Sequence, residues 1–202
     1  LDGGESMAER ARQVLDLAGD DPALLARGHA AMAQVLLFRR SDKDRAKAEL
    51  DAADAAVARG GVPAVDRASV SLARGNWFGF SDSPDEARKQ YDAAIALGLA
   101  AEGAQSRVAQ NARQEAAKVL IFGGQFDAGR AYLAQALETM RAAGGPNDAN
   151  AARWESYGAD WLLGMNAIPF DEAKRTFERN LASLRTQRGS LPEEYIVRIE
   201  GH

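Results

Sequence analysis

The chain has 202 residues, 46% apolar and 27% charged, a net charge of −4 and no cysteine. That length suits one domain or one continuous repeat array with ample core. The missing cysteines exclude disulfides and thiolate chemistry, and interspersed charge without a basic stripe argues against direct nucleic-acid contact. No stretch approaches the roughly 18 consecutive apolar residues that would cross a bilayer, and no signal peptide opens the chain. The expected compartment is the cytoplasm, and the lack of cysteine leaves the periplasm open. Abundant alanine with Leu, Arg, Glu, Asp and Gln, against only 6 prolines, favours helix.

In chain order, "LDGGES" opens on Leu1 instead of Met and reads as the tail of something longer. "ESMAERARQVLDLAG" (5–19) reads as a second helix lacking its first. "GDDP" (19–22) places carboxylates where they cap the next helix, at the positive end of its dipole. A helix over 22–40 then leads through "SDKD" into another over 45–60. Helices over 66–80 and 84–98 are joined by "SDSP", in which Ser83 caps, Pro84 takes the first helical position and Glu86 completes a capping box. Helices over 105–122 and 126–144 follow, joined by "GGQ", then helices over 150–165 and 170–189, joined by "NAIP". "PEEYIVRIEGH" (192–202) reads as a first helix lacking its second.

These pairs are copies of one unit. Aligning the second helices matches Ala46, Ala87, Gly129 and Ala173, then Leu50, Tyr91, Leu133 and Phe177, then Ala53, Ala94, Ala136 and Asn180, at steps of 41, 42 and 44 residues. A small residue lets two helix backbones approach, and a large one four positions later fills the hollow beside it. One pair cannot bury its apolar face alone, so neighbouring pairs share a core. Apolar spacing near 3.6, without alternating strand runs, makes the fold all-α. The whole chain is expected to be a single helical-repeat domain with repeats at about 22–60, 64–99, 105–144 and 150–189 and half repeats at about 5–19 and 192–202.

On these residues the chain resembles the tetratricopeptide repeat family. Gly75, Phe78, Ala87, Tyr91 and Ala94 stand at that family's spacing. The third unit carries Ala117, Leu120, "GQFDAG" (124–129), Leu133 and Ala136; the fourth carries "FDEA" (170–173) and Phe177; the first carries Leu37, Ala46, Leu50 and Ala53. Three features depart from the pattern: the 41–44-residue length, Trp161 where a small residue belongs, and Asn180 in place of a small apolar residue. The length looks more like the extended arrays of bacterial signalling proteins and kinesin light chains. The resemblance implies a right-handed superhelical α-solenoid of stacked antiparallel helix pairs.

Chemistry is sparse. His29 and His202 are the only histidines and lie far apart, and no zinc-ligand cluster occurs. No nucleophile elbow or S-x-x-K accompanies the serines, and "GGQFDAG" lacks the Lys-Ser/Thr of a phosphate loop. Asp51 and Asp54 share a helix face and read as solvated; Trp77 and Trp161 read as packing, with Trp154 partly exposed. The chain is therefore read as non-catalytic, with no cofactor and no metal.

The resemblance implies that first helices line a concave, partner-binding face. It aims Met32, Val35 and Arg39 there from the first unit, with Leu72, Asn76 and Phe80 from the second. Asn111, Gln114, Lys118 and Phe122 come from the third, and Glu155, Leu162 and Asn166 from the fourth. Leu72 stands where a carboxylate clamp would need lysine, so the expected partner is an extended peptide or a helix held by polar contacts and apolar pockets. The expected role is a scaffold or regulatory part of a larger bacterial signalling protein; the alternative is a small-molecule sensor attached to a kinase or DNA-binding domain. An exposed half repeat would also allow a homodimer.

Overall fold

The computed structural model describes residues 2–40 and 42–186, with side chains from Met7 onward except those of Arg39, Arg40, Ser183 and Thr186. The 192–202 half repeat lies outside the described residues. Those described are helical, with no strand among them. The helices are α1 (Asp2–Ala18), α2 (Pro22–Val35), α3 (Lys43–Ala58), α4 (Ala64–Phe80), α5 (Pro84–Glu102), α6 (Arg107–Phe122), α7 (Phe126–Gly144), α8 (Ala149–Gly164) and α9 (Phe170–Thr186). A π turn, Leu36–Arg40, continues α2, and a 3₁₀ turn, Gly103–Gln105, follows α5.

Local chemistry sets the helix starts. Asp21 accepts from the backbone N–H groups of Ala23 and Leu24 at 2.8 and 3.3 Å, with Pro22 in the first turn. Asp42 and Asp148 cap α3 and α8 in the same way, through Arg45 and Ala151. The capping box expected at Ser83 does not form. Its hydroxyl donates to the Ser81 carbonyl at 3.3 Å, and Glu86 is taken by Lys89 at 2.6 Å. Pro84 starts α5 without a side-chain cap.

The ends of the first helices repeat more strictly. After α4, the N–H of Ser83 reaches the Phe78 carbonyl and that of Asp82 reaches Gly79. After α6, Gln125 reaches Leu120 and Gly124 reaches Ile121; after α8, Ala167 reaches Leu162 and Asn166 reaches Leu163. Each is a Schellman stop, and its left-handed residue is Asp82 (φ 55°), Gly124 (φ 76°) or Asn166 (φ 54°). The three acceptors Phe78, Leu120 and Leu162 stand 42 residues apart.

The first unit keeps that spacing on the acceptor side and breaks it on the donor side. Leu36 lies 42 residues before Phe78, but its carbonyl is reached by Asp42, one residue farther on than in the other three pairs. The π turn holds the extra residue, since its bonds span i to i+5.

This backbone register corrects the alignment of the first helices. The small residues are Ala33, Gly75, Ala117 and Ala159, all buried and each 42 from the next. The fourth unit therefore does keep a small residue where two helices cross, and Trp161 matches Trp77. The different steps between second helices come from the turns. Ala33 to Ala46 is thirteen positions, Gly75 to Ala87 and Ala117 to Gly129 are twelve, and Ala159 to Ala173 is fourteen.

The described residues fall into two compact units, divided after Ala116 within α6. In the first, α2 packs against α1, α3 and α4, and α4 against α5. Its core joins Ala26, Ala30, Ala33, Leu37, Leu50 and Ala53, with Met32 and Trp77 at the edge. Tyr91 is fully buried on Gly75, where an added Cβ would meet its ring at 2.6 Å. Its hydroxyl donates to Asn76 Oδ1 at 3.0 Å. Burial, then the charge of Glu115, pushes the Tyr91 phenol far above its ordinary pKa. Arg27 donates to both oxygens of buried Asp66 at 2.9 and 3.0 Å, tying α2 to α4.

In the second unit α7 packs on α8, and α8 on α9. Gly129 lies against Ile121 of α6, and Gly158 against Leu133 of α7. Ile121, Ala159, Leu162, Ile168 and Ala173 form a core flanked by Trp161 and Phe177. Asn180 is buried, and its amide donates to the Ala152 carbonyl at 3.1 Å and to Ser156 Oγ at 3.0 Å. That bonding is how a polar side chain occupies a position where a small apolar one was expected.

Candidate interaction surface

The residues expected on a binding face divide by burial. In the first unit Val35 and Leu72 are core residues, and Met32 is half-buried against the core. Asn76 is 4% exposed with its carbonyl oxygen committed to Tyr91, so it serves the interior and not a partner. Gln114 is also buried, while Asn111 is exposed. Arg39 lies in the π turn, and its side chain is outside the described residues. Phe80 is 38% exposed at the end of α4.

Phe80 has a partner that the alignment missed. Phe38, 45% exposed, meets it edge-to-face with ring centroids 5.2 Å apart. Two apolar rings held together at a surface leave their outer faces in water, although burying one contributes roughly 1.5–3 kcal/mol. The signal was present in the sequence: Phe38, Phe80 and Phe122 are spaced 42 residues apart. The π turn hid it by offsetting the second-helix alignment by one.

In the second unit Lys118 is half-buried and Phe122 is 53% exposed, its ring 6.2 Å from that of Trp161. Trp161 continues into a stripe along α8, with Tyr157 at 6.3 Å and Trp154 at 6.0 Å. All three side chains of that stripe are half-buried. Their i, i+3, i+7 spacing puts them on one face of the helix. Leu162 belongs to the core. Glu155 is held by Arg141 at 2.9 Å and Arg179 at 3.0 Å, which ties it into the fold. Asn166 is exposed, and its place follows from the left-handed residue that the α8 stop requires.

Several other polar groups are paired within the fold. Arg74 bridges Asp51 and Asp54, and Lys47 joins Asp51 at 2.7 Å. The Lys47 hydrogen bond, with Arg74, holds the Asp51 carboxyl below its ordinary range. These two aspartates thus bind basic side chains from α3 and α4. His29 Nδ1 lies 2.7 Å from Glu49 Oε2. Among the described residues no group of three His, Asp or Glu could hold a metal ion, and no helix is long and apolar enough to cross a membrane.

No family model matches the chain, and no curated protein matches it. Among solved structures it matches the crystal structure of BtubC (BKLC) from P. vanneervenii, with a TM-score of 0.73 and 15% identity. The match covers 98% of this chain and 81% of that one. The likeness is one of fold.

Proposed function

We propose that the chain is a non-catalytic helical-repeat module of tetratricopeptide-like type. Its helix pairs stack as a right-handed superhelix and bind a peptide or helix of another protein on the face of the first helices. The observation that supports this most is the phenylalanine row: Phe38, Phe80 and Phe122 share one position at the ends of successive first helices and are all exposed. A phenyl ring left in water at one repeat is ordinary, but exposure of the same sequence position at three repeats is a recurrent apolar feature. Small residues and Schellman stops in the same register favour the repeat reading.

The experiment is a selection of random displayed peptides on the intact chain. The winners are then titrated against the wild type and the Phe38→Ala, Phe80→Ala and Phe122→Ala variants. Convergent peptides should bind at least one variant about tenfold more weakly, since about 1.4 kcal/mol lies within what one ring contributes on burial. Peptides that bind all three variants as well as the wild type would defeat the reading, as would a selection that never converges.

A further inference from the structure

At the π turn the helix stop of the α2–α3 pair leaves the pattern of the other three described pairs. Without the extra residue, the N–H that reaches Leu36 would come from five positions on, as it does at Phe78, Leu120 and Leu162; here it comes from six, at 3.1 Å. Phe38 sits at the centre of this widened turn, between Leu36 and Arg40. A π turn rotates each residue through a smaller angle than an α-helix does, so its middle residue points elsewhere than the α path would send it. Leu36 and Leu37 on the near side are fully buried and anchor the start of the turn. Among the described side chains of the turn, the one left outside the core is Phe38, whose ring meets that of Phe80.

We propose that the extra residue of the π turn is a positioning device: it sets the direction of Phe38 and so builds the two-ring surface with Phe80. The device gives up regular helix hydrogen bonding to make that surface. Removing the residue therefore strengthens the fold and takes the surface apart. The purpose of the surface rests on the interaction-module reading, but the geometry and its energetic sign do not.

The test deletes Arg40, with deletion of Arg39 as the second variant, because one residue fewer on this segment should let α2 end in a regular Schellman stop. Two measurements need no partner. The first is Tm, expected to rise by a few degrees in both deletions. The second is the nuclear Overhauser effect between the Phe38 and Phe80 rings, recorded on selectively labelled phenylalanine and expected to disappear. A Tm that is unchanged or lower in both deletions overturns the proposal, because the residue is then part of a sound turn. Rings that stay together after deletion overturn it too, because α2 alone then aims Phe38. Peptides selected on the wild type should bind the deletions about tenfold more weakly. Equal binding by a deletion in which the two rings have separated would count against the surface as the binding site and leave the turn's positioning role intact.

Discussion

The α4–α5 pair of the first unit and the α8–α9 pair of the second solve one packing problem with different residues. In α4–α5 a glycine admits a fully buried tyrosine, whose hydroxyl then needs Asn76 beneath it. In α8–α9 the small residue is Ala159 and the large one is the half-buried Phe177, which carries no polar atom. The buried amide there is Asn180, bonded to the backbone and a serine of α8. With glycine at the contact the large side chain is the buried one, and its own polar group must be satisfied inside. With alanine there the large side chain is apolar, and the polar group sits elsewhere and bonds to the main chain.

The sharpest way to break this comparison is truncation of the large residue. Tyr91→Ala should cost about 3–5 kcal/mol, and Phe177→Ala about half as much because its ring is partly in water, both read from denaturant midpoints. Equal losses would mean that the two pairs are packed alike. Next come the amides. Asn76→Ala leaves the Tyr91 hydroxyl buried without its acceptor and should cost about 1–3 kcal/mol. Asn180→Ala should cost only about 1 kcal/mol, because Ser156 Oγ still donates to the Ala152 carbonyl at 3.0 Å. The reverse order would show that Asn180 carries more than those bonds.

The same tyrosine makes the first unit sensitive to alkali. Its folded pKa is raised, so its contribution is complete below the ordinary tyrosine value of about 10 and is lost as pH climbs past it. Stability should fall more steeply above pH 10 in the wild type than in Tyr91→Phe, by up to about 1.4 kcal/mol per pH unit. Parallel curves would show that another group governs the alkaline limb. The smallest effects lie in the turns. Gly124→Ala forces a side chain into the left-handed region and should cost about 1 kcal/mol, while Asp82→Gly should be neutral or stabilising by a few tenths.

Much of the helical order was legible because its signals are local. Asp21 with Pro22, and Pro84, mark helix starts through chemistry that acts within one turn. Ser83 misled because its hydroxyl has a second carbonyl in reach, and a sequence does not say which one it takes. The register of the first helices was hidden for a different reason. Aligning on the second helices presumes turns of equal length, and neither the π turn nor the longer turn before α9 has a residue signature. That one assumption concealed Phe38 and made Trp161 look misplaced. Asn76 looked like a surface residue because helical spacing cannot reveal a tyrosine hydroxyl arriving from fifteen positions away. The paired aromatic side chains, by contrast, were present in the composition and needed only the correct offset.

The 42-residue spacing of the first helices is a sum that stays constant while its parts change. In the α2–α3 pair the turn is one residue longer than in the α4–α5 pair, and the stretch from Ala46 to Gly75 is one shorter than that from Ala87 to Ala117. Length has been traded between the two connections and the total kept. The count from one first helix to the next is what the four described pairs share, and the hairpin turn and the link that follows it are where they differ.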